Sequence, residues 1–375
     1  MSSPSLRSPA LQAKSALAEF RKELALRHQA DEATVSLADG MTRFVEQSVI
    51  GLADAASKDL PLANDGSAAA FVTLVAIGGF GRGDLAPYSD VDLLILIDPE
   101  KEAELTPWVR RFSQDLYDSG LLPAISVRDP REACQAALRD PTIFTALIEG
   151  RPIWGERNRF DSFWSRFSRL VRRRGPALIE AALAARREER GKYGETVYLL
   201  SPNVKRSRGG LRDLQLIRWI GFARHSSRDY GELMQSGALS AADLRQVHAA
   251  HAFLLRVRFE LHCHAGKAQD QLTREEQVRI AERFGYRGQP GVLPVERFMT
   301  DYFEHTSQVR YVTTSFVETA RARFGLRQIV GPVFSFNVGG DFRVGNVHVS
   351  ATRQGLRKIQ SDLVEVLRLM DLANT

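Results

Sequence analysis

A chain of 375 residues exceeds one ordinary core and is long enough for two or three domains. Hydrophobic residues make up 44% and charged residues 26%, which excludes a disordered or fibrous chain and allows a sizeable core. Lys+Arg 51 against Asp+Glu 45 leaves a net charge of +6, a mild excess that suits an anionic ligand or an acidic protein surface without arguing for nucleic acid.

From the N-terminus, residues 1–12 are rich in Ser and Pro and are expected to lack order. From Ala13 to Ala56 the pattern is helical, with Leu17, Phe20, Leu24 and Leu26 mostly on one stripe. A loop, KDLPLANDGSAA, leads into AFVTLVAIGG, an apolar, β-branched strand closed by glycine. The segment SDVDLLILI reads as a second strand. A helix is expected around TPWVRRFSQDLYDSG, stopped at Gly120. LPAISVRDP is a short strand, and DPTIFTALIEGRPIWG a short helix ending in a loop. Beyond this the sequence is helical to about Arg323. The last fifty residues hold a strand pair, PVFSFNVGGDFRVGNVHVS. They end in an amphipathic helix carrying Ile359, Leu363, Val366, Leu367 and Met370.

The expected fold is therefore α+β: a small mixed-sheet core flanked by an N-terminal helical segment and a larger helical domain. The expected divisions are 1–65 for the helical segment, 66–160 for the sheet core, 161–325 for the helical domain and 326–375 for the strand pair and last helix. The two cysteines, Cys134 and Cys263, lie far apart and outside any Cys-x-x-Cys. They argue against a disulfide framework or thiolate metal site and fit a reducing cytosol. No apolar secretory segment opens the chain and no apolar run has the length of a membrane span, so a cytoplasmic, membrane-free protein is expected.

Chemistry concentrates in VAIGGFGRGDLAPYSDVDLLILID. Asp90 and Asp92 stand two apart, which in a strand puts both side chains on one face. Two neighbouring carboxylates repel each other, and burial makes the repulsion worse. A hard divalent cation relieves it, Mg²⁺ above all, usually with substrate phosphates completing its shell. A pair of such ions lowers the pKa of an attacking hydroxyl and neutralises a leaving pyrophosphate. Gly78, Gly79, Gly81 and Gly83 lack a Cβ, so backbone N–H groups can approach a phosphate. Ser89 adds a hydroxyl and Arg82 a guanidinium fork. The loop lacks the Lys-Ser/Thr end of a P-loop and the spacing of a dinucleotide fingerprint. An Asp-x-Asp at a strand edge is usually solvated surface, and glycine loops are common. Their conjunction in this order favours nucleotidyl transfer.

GGFGRGDLAPYSDVDLLIL resembles the nucleotidyltransferase signature of the DNA-polymerase-beta-like superfamily. Its particular form is similar to the bacterial PII uridylyltransferase/uridylyl-removing enzymes. Two later segments agree with that family: SPNVKRSRGGLRDLQLIRWI at 201–220, and FLLRVRFELHCHAGKAQDQLTREEQVRIAERFGY with VERFMTDYFEH at 253–305. The resemblance covers most of 70–310 in order. It implies transfer of UMP from UTP to a tyrosine of a small PII signalling protein, with Mg²⁺ and loss of pyrophosphate. It makes Asp90 and Asp92 the ligands of a two-metal site and assigns Gly78, Gly79 and Ser89 to the triphosphate.

The superfamily also implies a third carboxylate on a neighbouring strand. Asp129 is the candidate, sharing a face with Ile125 and Val127, although an Asp before Pro130 equally starts a turn. Asp140 and Glu149 are others, and Glu149 could pair with Arg151. Where the family has an acidic-Gly-Pro stretch, this chain has KRSRGG. Lys205, Arg208 and Arg212 there could hold phosphate, and Asp213 could cap a helix or pair with Arg212. The histidines read as surface or packed residues. None precedes an aspartate, so the His-Asp doublet of the family's hydrolase domain is not found, and the chain is expected to be either a piece of a longer protein, a truncated product or a stand-alone transferase half. The helical domain is expected to cover the nucleotide and dock the PII partner. Alternatives are an adenylyltransferase acting on another acceptor and a catalytically silent nucleotide-binding regulator. The absence of a long basic-aromatic groove argues against a nucleic-acid partner.

Overall fold

The structure is a computed structural model. It describes residues 7–60 and 67–322, segments 336–338, 341–344 and 349–351, and positions 358, 362, 364, 367 and 370. By compactness the chain separates into Met1–Phe316 and Val317–Thr375.

The first unit opens with two helices, α1 (Ser8–Gln29) and α2 (Thr34–Asp59), packed on each other. Helix α1 begins earlier than the Ser/Pro-rich composition suggests. Pro9 sits in the first helical turn, where its missing N–H is no loss, and Ala10 is fully buried. The apolar stripe holds at Leu17 and Leu24 but not at Leu26, which is 65% exposed.

Strand β1 (Val72–Ala76) follows, then the short helix α3 (Gly78–Arg82) and strand β2 (Val91–Ile97). Helix α4 (Glu102–Asp118) leads to β3 (Pro123–Arg128). Two short helices, α5 (Pro130–Arg139) and α6 (Pro141–Ile148), precede β4 (Arg151–Gly155). The four strands form one mixed sheet in the order β3-β2-β1-β4, with β1 antiparallel to both β2 and β4 and β2 parallel to β3. Helix α5 and strand β4 had no separate sequence signal, because each is short and only partly apolar.

Alternation along β1 and β2 builds the core. Val72, Leu74 and Ala76 share a face with Val91, Leu93, Ile95 and Ile97, and this face packs with Leu37, Val45 and Leu52 of α2 and Trp108, Phe112 and Leu116 of α4. The Trp108 indole N–H donates to Ser57 Oγ at 2.9 Å, so the large ring is buried without an orphaned donor. Asp92 falls on the opposite face, in phase with Leu94 and Leu96.

The remainder of the unit is helical: α7 (Arg157–Tyr193), α8 (Leu211–His225), α9 (Tyr230–Gln235), α10 (Ala241–Ala265), α11 (Arg274–Arg283) and α12 (Pro294–Ala322), the last crossing the boundary between the units. In the second unit, β5 (Phe336–Val338), β6 (Phe342–Val344) and β7 (Val349–Ala351) form an antiparallel sheet in that order. The expected strand pair is thus three strands. Of the expected terminal helix, Ile359, Leu363 and Val366 lie outside the described residues. The fold is the expected α+β class, a small mixed sheet with flanking helices.

Candidate nucleotide and cation site

A cavity of about 360 Å³ opens between the β1–β2 end of the sheet and helices α7, α8 and α10. Its floor is the glycine turn. The glycine loop read from the sequence is a single helical turn, α3, entered through Gly78 at φ +55° and left through Gly83 at φ +87°. These left-handed positions favour glycine. At Gly78 a Cβ would overlap the Asp92 carboxylate, so the backbone lies directly against that group. The Ile77 N–H donates to the Asp92 carbonyl at 3.1 Å, continuing the ladder one step beyond β1. A Cβ on Gly81 would overlap the Glu149 and Ala76 carbonyls. Gly81 therefore allows α3 to pack and, unlike Gly78 and Gly79, does not line the cavity.

Asp90, just ahead of β2, and Asp92, within it, both line the cavity. Neither carboxylate accepts a hydrogen bond or forms an ion pair among the described residues. Burial pushes the Asp92 carboxyl above its ordinary pKa; Lys205 pulls it back and the Asp90 charge adds to the rise. Ser89 lines the same wall. Its Oγ accepts from the Ala86 N–H at 3.0 Å, which fixes the turn and leaves the hydroxyl proton available.

The facing wall comes from the basic segment 203–212. Asn203 Oδ1 accepts from the backbone N–H of Lys205 (3.2 Å) and Arg206 (2.7 Å), an Asx turn. Gly209 has φ +77°, and a Cβ there would overlap the Thr306 carbonyl. Asp213 Oδ2 accepts from the Gly209 N–H at 2.7 Å and Oδ1 from Arg186 Nε at 2.8 Å. The partner of Asp213 is therefore Arg186 and not the adjacent Arg212, whose side chain leaves the helix in another direction. Arg186 also donates to the carbonyls of Arg206 (2.8 Å) and Ser207 (3.1 Å).

This bracing presents Lys205 and Arg212 to the cavity. The Lys205 ammonium has no hydrogen-bond or ion-pair partner among the described residues. Burial, with Arg258 and Arg212 nearby, lowers its pKa to about 7. Burial likewise lowers Arg212 to about 10, against the pull of Glu189 at 3.8 Å. Arg212 also donates to Gln215 Oε1 at 2.9 Å. Arg208 instead donates to the Glu195 carbonyl and does not line the cavity.

Other candidates have local duties. Arg82 lines the cavity, but its Nε donates to Asp84 Oδ2 at 2.9 Å and its Nη1 lies 3.8 Å from Glu149. Asp129 is the N-cap of α5: its Oδ1 accepts from the Glu132 N–H at 2.9 Å in a capping box, and it does not line the cavity. Asp140 caps α6 through the Thr142 N–H at 2.7 Å. Glu149 is gripped by both arms of Arg218, at 3.0 and 2.7 Å, and Arg151 pairs with Glu46 instead. The acidic side chains that do line the cavity besides the pair are Asp84 and Glu189. Although burial opposes it, His251 and Arg82 hold Asp84 well below the usual carboxylate range. Sequence reading missed His251, Arg258 and Trp219 as lining residues, since each sits in helical sequence without a local motif.

Among the described residues no group of three or more His, Cys, Asp or Glu is placed to hold a metal. Two unpaired carboxylates on one wall nevertheless suit a hard cation that takes its remaining oxygens from phosphate and water. Opposite them stands Lys205, without an ion-pair partner among the described residues. Together the walls match a metal-bound polyphosphate better than either ion alone. No helix among the described residues is long and apolar enough to cross a membrane.

Comparison with known proteins places the chain beside one group of enzymes. The GlnD PII-uridylyltransferase family profile matches residues 177–317, and the nucleotidyltransferase domain profile matches 71–134. A bifunctional uridylyltransferase/uridylyl-removing enzyme of Methylococcus capsulatus is 42% identical over 245 residues, covering 65% of this chain and 28% of that protein. One from Novosphingobium aromaticivorans is 34% identical over 313 residues, 83% of this chain and 34% of its own length. One from Pseudomonas aeruginosa is 40% identical over 239 residues, 62% and 26% respectively. The chain thus spans about a third or less of the curated relatives it matches. Over its nucleotidyltransferase and helical regions it is similar to the bacterial PII uridylyltransferase/uridylyl-removing enzymes, and it is of the nucleotidyltransferase type.

Proposed function

We propose that this chain transfers UMP from UTP to a tyrosine hydroxyl of a PII-type signalling protein in the cytoplasm, releasing pyrophosphate. The observation that carries the reading is that Asp90 and Asp92 share one cavity with Lys205, none of the three having a side-chain partner among the described residues. In this reading residues 66–160 supply the cation ligands, and residues 161–325 cover the nucleotide and dock the acceptor.

Asp90 and Asp92 would hold Mg²⁺, which when bound withdraws charge from the phosphoryl oxygens and neutralises the departing pyrophosphate. Lys205 and Arg212 take the negative charge of the β and γ phosphates. The backbone at Gly78 and Gly79 and the Ser89 hydroxyl fix the triphosphate's position against the carboxylates. The acceptor oxygen attacks the α-phosphorus in line; the new P–O bond forms as the bond to the β-phosphate oxygen breaks. Arg82, committed to Asp84, holds the shape of the turn and does not supply a free fork. Asp129, committed to its helix cap, is not the third carboxylate.

Intact-mass measurement of a PII protein after incubation with the chain, Mg²⁺ and UTP tests this. One UMP adduct per acceptor subunit is expected, with little from ATP and almost none with Asp92→Asn. No adduct from the wild type, or an equal adduct from Asp92→Asn, overturns the reading.

A further inference from the structure

The helical segment around 253–277 carries Arg258, His262, Asp270, Leu272 and Gln277 at spacings that the cavity accounts for only at Arg258. Their contacts lead to the two walls from behind. The carbonyl of Asp270 accepts from the Val204 N–H at 2.8 Å, and the Leu272 N–H donates to Pro202 O at 2.9 Å. An isolated antiparallel bridge joins Asn203 to Gln271. The Gln277 amide donates to Leu200 O at 2.7 Å and to Leu272 O at 3.1 Å. Residues 270–272 are therefore zipped to the strand-like segment that delivers Lys205.

The Asp270 carboxylate accepts from Arg258 Nε at 2.7 Å and pairs with His262 Nε2 at 3.2 Å. The other ring nitrogen, Nδ1, accepts from the Tyr88 N–H at 3.4 Å. Tyr88 belongs to the turn that ends in Asp90. With Nδ1 as acceptor the proton sits on Nε2, which donates to Asp270. The His262 ring is fully buried, and burial, only partly countered by Asp270, lowers its pKa to about 4, so at neutral pH the neutral ring keeps both bonds.

We infer that Asp270 and His262 are positioning residues that tie the carboxylate-bearing turn to the Lys205 segment and so set the distance between the two walls of the site. This rests on the nucleotide reading above. It predicts that their effect on nucleotide binding is exerted through Lys205, a side chain neither of them hydrogen-bonds.

The test is a double-mutant cycle on the full chain, reading Mg²⁺-UTP affinity by calorimetry and folding by thermal melting. Asp270→Asn is expected to weaken binding at least tenfold in the wild type and less than threefold in Lys205→Met, because a displaced Lys205 is already lost there. Asp270→Asn also leaves Arg258 without its carboxylate, so His262→Gln serves as the second variant. It keeps Asp270 and Arg258 paired and keeps a donor toward Asp270 while removing the ring nitrogen Nδ1 that accepts from the Tyr88 N–H. It is expected to weaken binding about fivefold with the same loss of effect in Lys205→Met. Affinity losses that add across backgrounds, or unchanged affinity in folded Asp270→Asn and His262→Gln, overturn the inference while leaving the nucleotide reading standing. A wild type that binds no UTP overturns both.

Discussion

Two carboxylates of this chain lie within the same unit and obey opposite rules. Asp213, behind the basic wall, is buried and fully engaged by Arg186 and the Gly209 N–H. Asp92, on the sheet wall, is only partly buried and has no hydrogen-bond or ion-pair partner among the described residues, and burial raises its pKa. A fold normally satisfies buried charge. Where it leaves one group bare and fastens the next completely, the bare group is reserved for something that arrives later. Substitutions at the two sites should therefore separate function from stability.

The largest effect is expected at Asp92. Asp92→Asn should reduce UMP transfer by about a thousandfold, on the order of what removing a dominant electrostatic group costs. Its thermal midpoint should not fall, and at neutral pH should rise. The sign follows from linkage: with the folded pKa above the ordinary value, the ionised group costs stability above that pKa. The gain in Tm should vanish as pH drops below the usual carboxylate range. Asp213→Asn should do the reverse. It takes the carboxylate from Arg186 Nε and leaves that buried guanidinium with Glu189, 3.0 Å from its Nη1, as its remaining ion-pair partner, a loss of about 3 kcal/mol measurable by denaturant unfolding.

Next in size is the glycine geometry of the two walls. Gly209→Ala forces a Cβ onto the Thr306 carbonyl at a left-handed φ and should cost stability by about 2–3 kcal/mol. Gly78→Ala pushes on the Asp92 carboxylate instead, so its larger consequence should be a tenfold or greater loss of Mg²⁺-UTP affinity. A Cβ on Gly79 meets only ordinary contacts, and Gly79→Ala should melt within about 1 °C of the wild type.

The smallest effect concerns pH. Burial, Arg258 and Arg212 bring Lys205 to about 7, with Arg206 adding and Asp270 opposing. Triphosphate binding favours the ammonium, so above about pH 7 binding must take up a proton. UTP affinity should then fall by up to about tenfold per pH unit above 7 and level off below it. Calorimetry in buffers of different ionisation enthalpy should show proton uptake at pH 8, and Lys205→Met should abolish it.

The sheet wall was legible in the sequence because its signals are local. The strand VTLVA, the glycine turn and the Asp-x-Asp lie within one short run, and their types dictate their geometry. The helical wall was legible only as a resemblance. That Asp213 would turn to Arg186, 27 residues earlier, or Glu149 to Arg218, 69 residues later, depends on tertiary packing that no local spacing encodes. The same holds for Asp129. Its position beside a strand suggested chemistry, while Pro130 and Glu132 beside it carried the capping box that the structure uses. Helix α1 was read too late because Ser/Pro composition was weighed above the tolerance of a first helical turn for proline.

The central claim is that Asp92 is held bare for a cation that accompanies the triphosphate. Calorimetric UTP binding with Mg²⁺ and with chelator, in the wild type and in Asp92→Asn, tests it most directly. The account predicts that Mg²⁺ strengthens binding at least tenfold in the wild type and hardly at all in Asp92→Asn, and that metal-free UTP binds the variant more tightly, since a repelling charge is gone. Equal affinity in all four combinations, or a Mg²⁺ effect that survives the substitution, would contradict it.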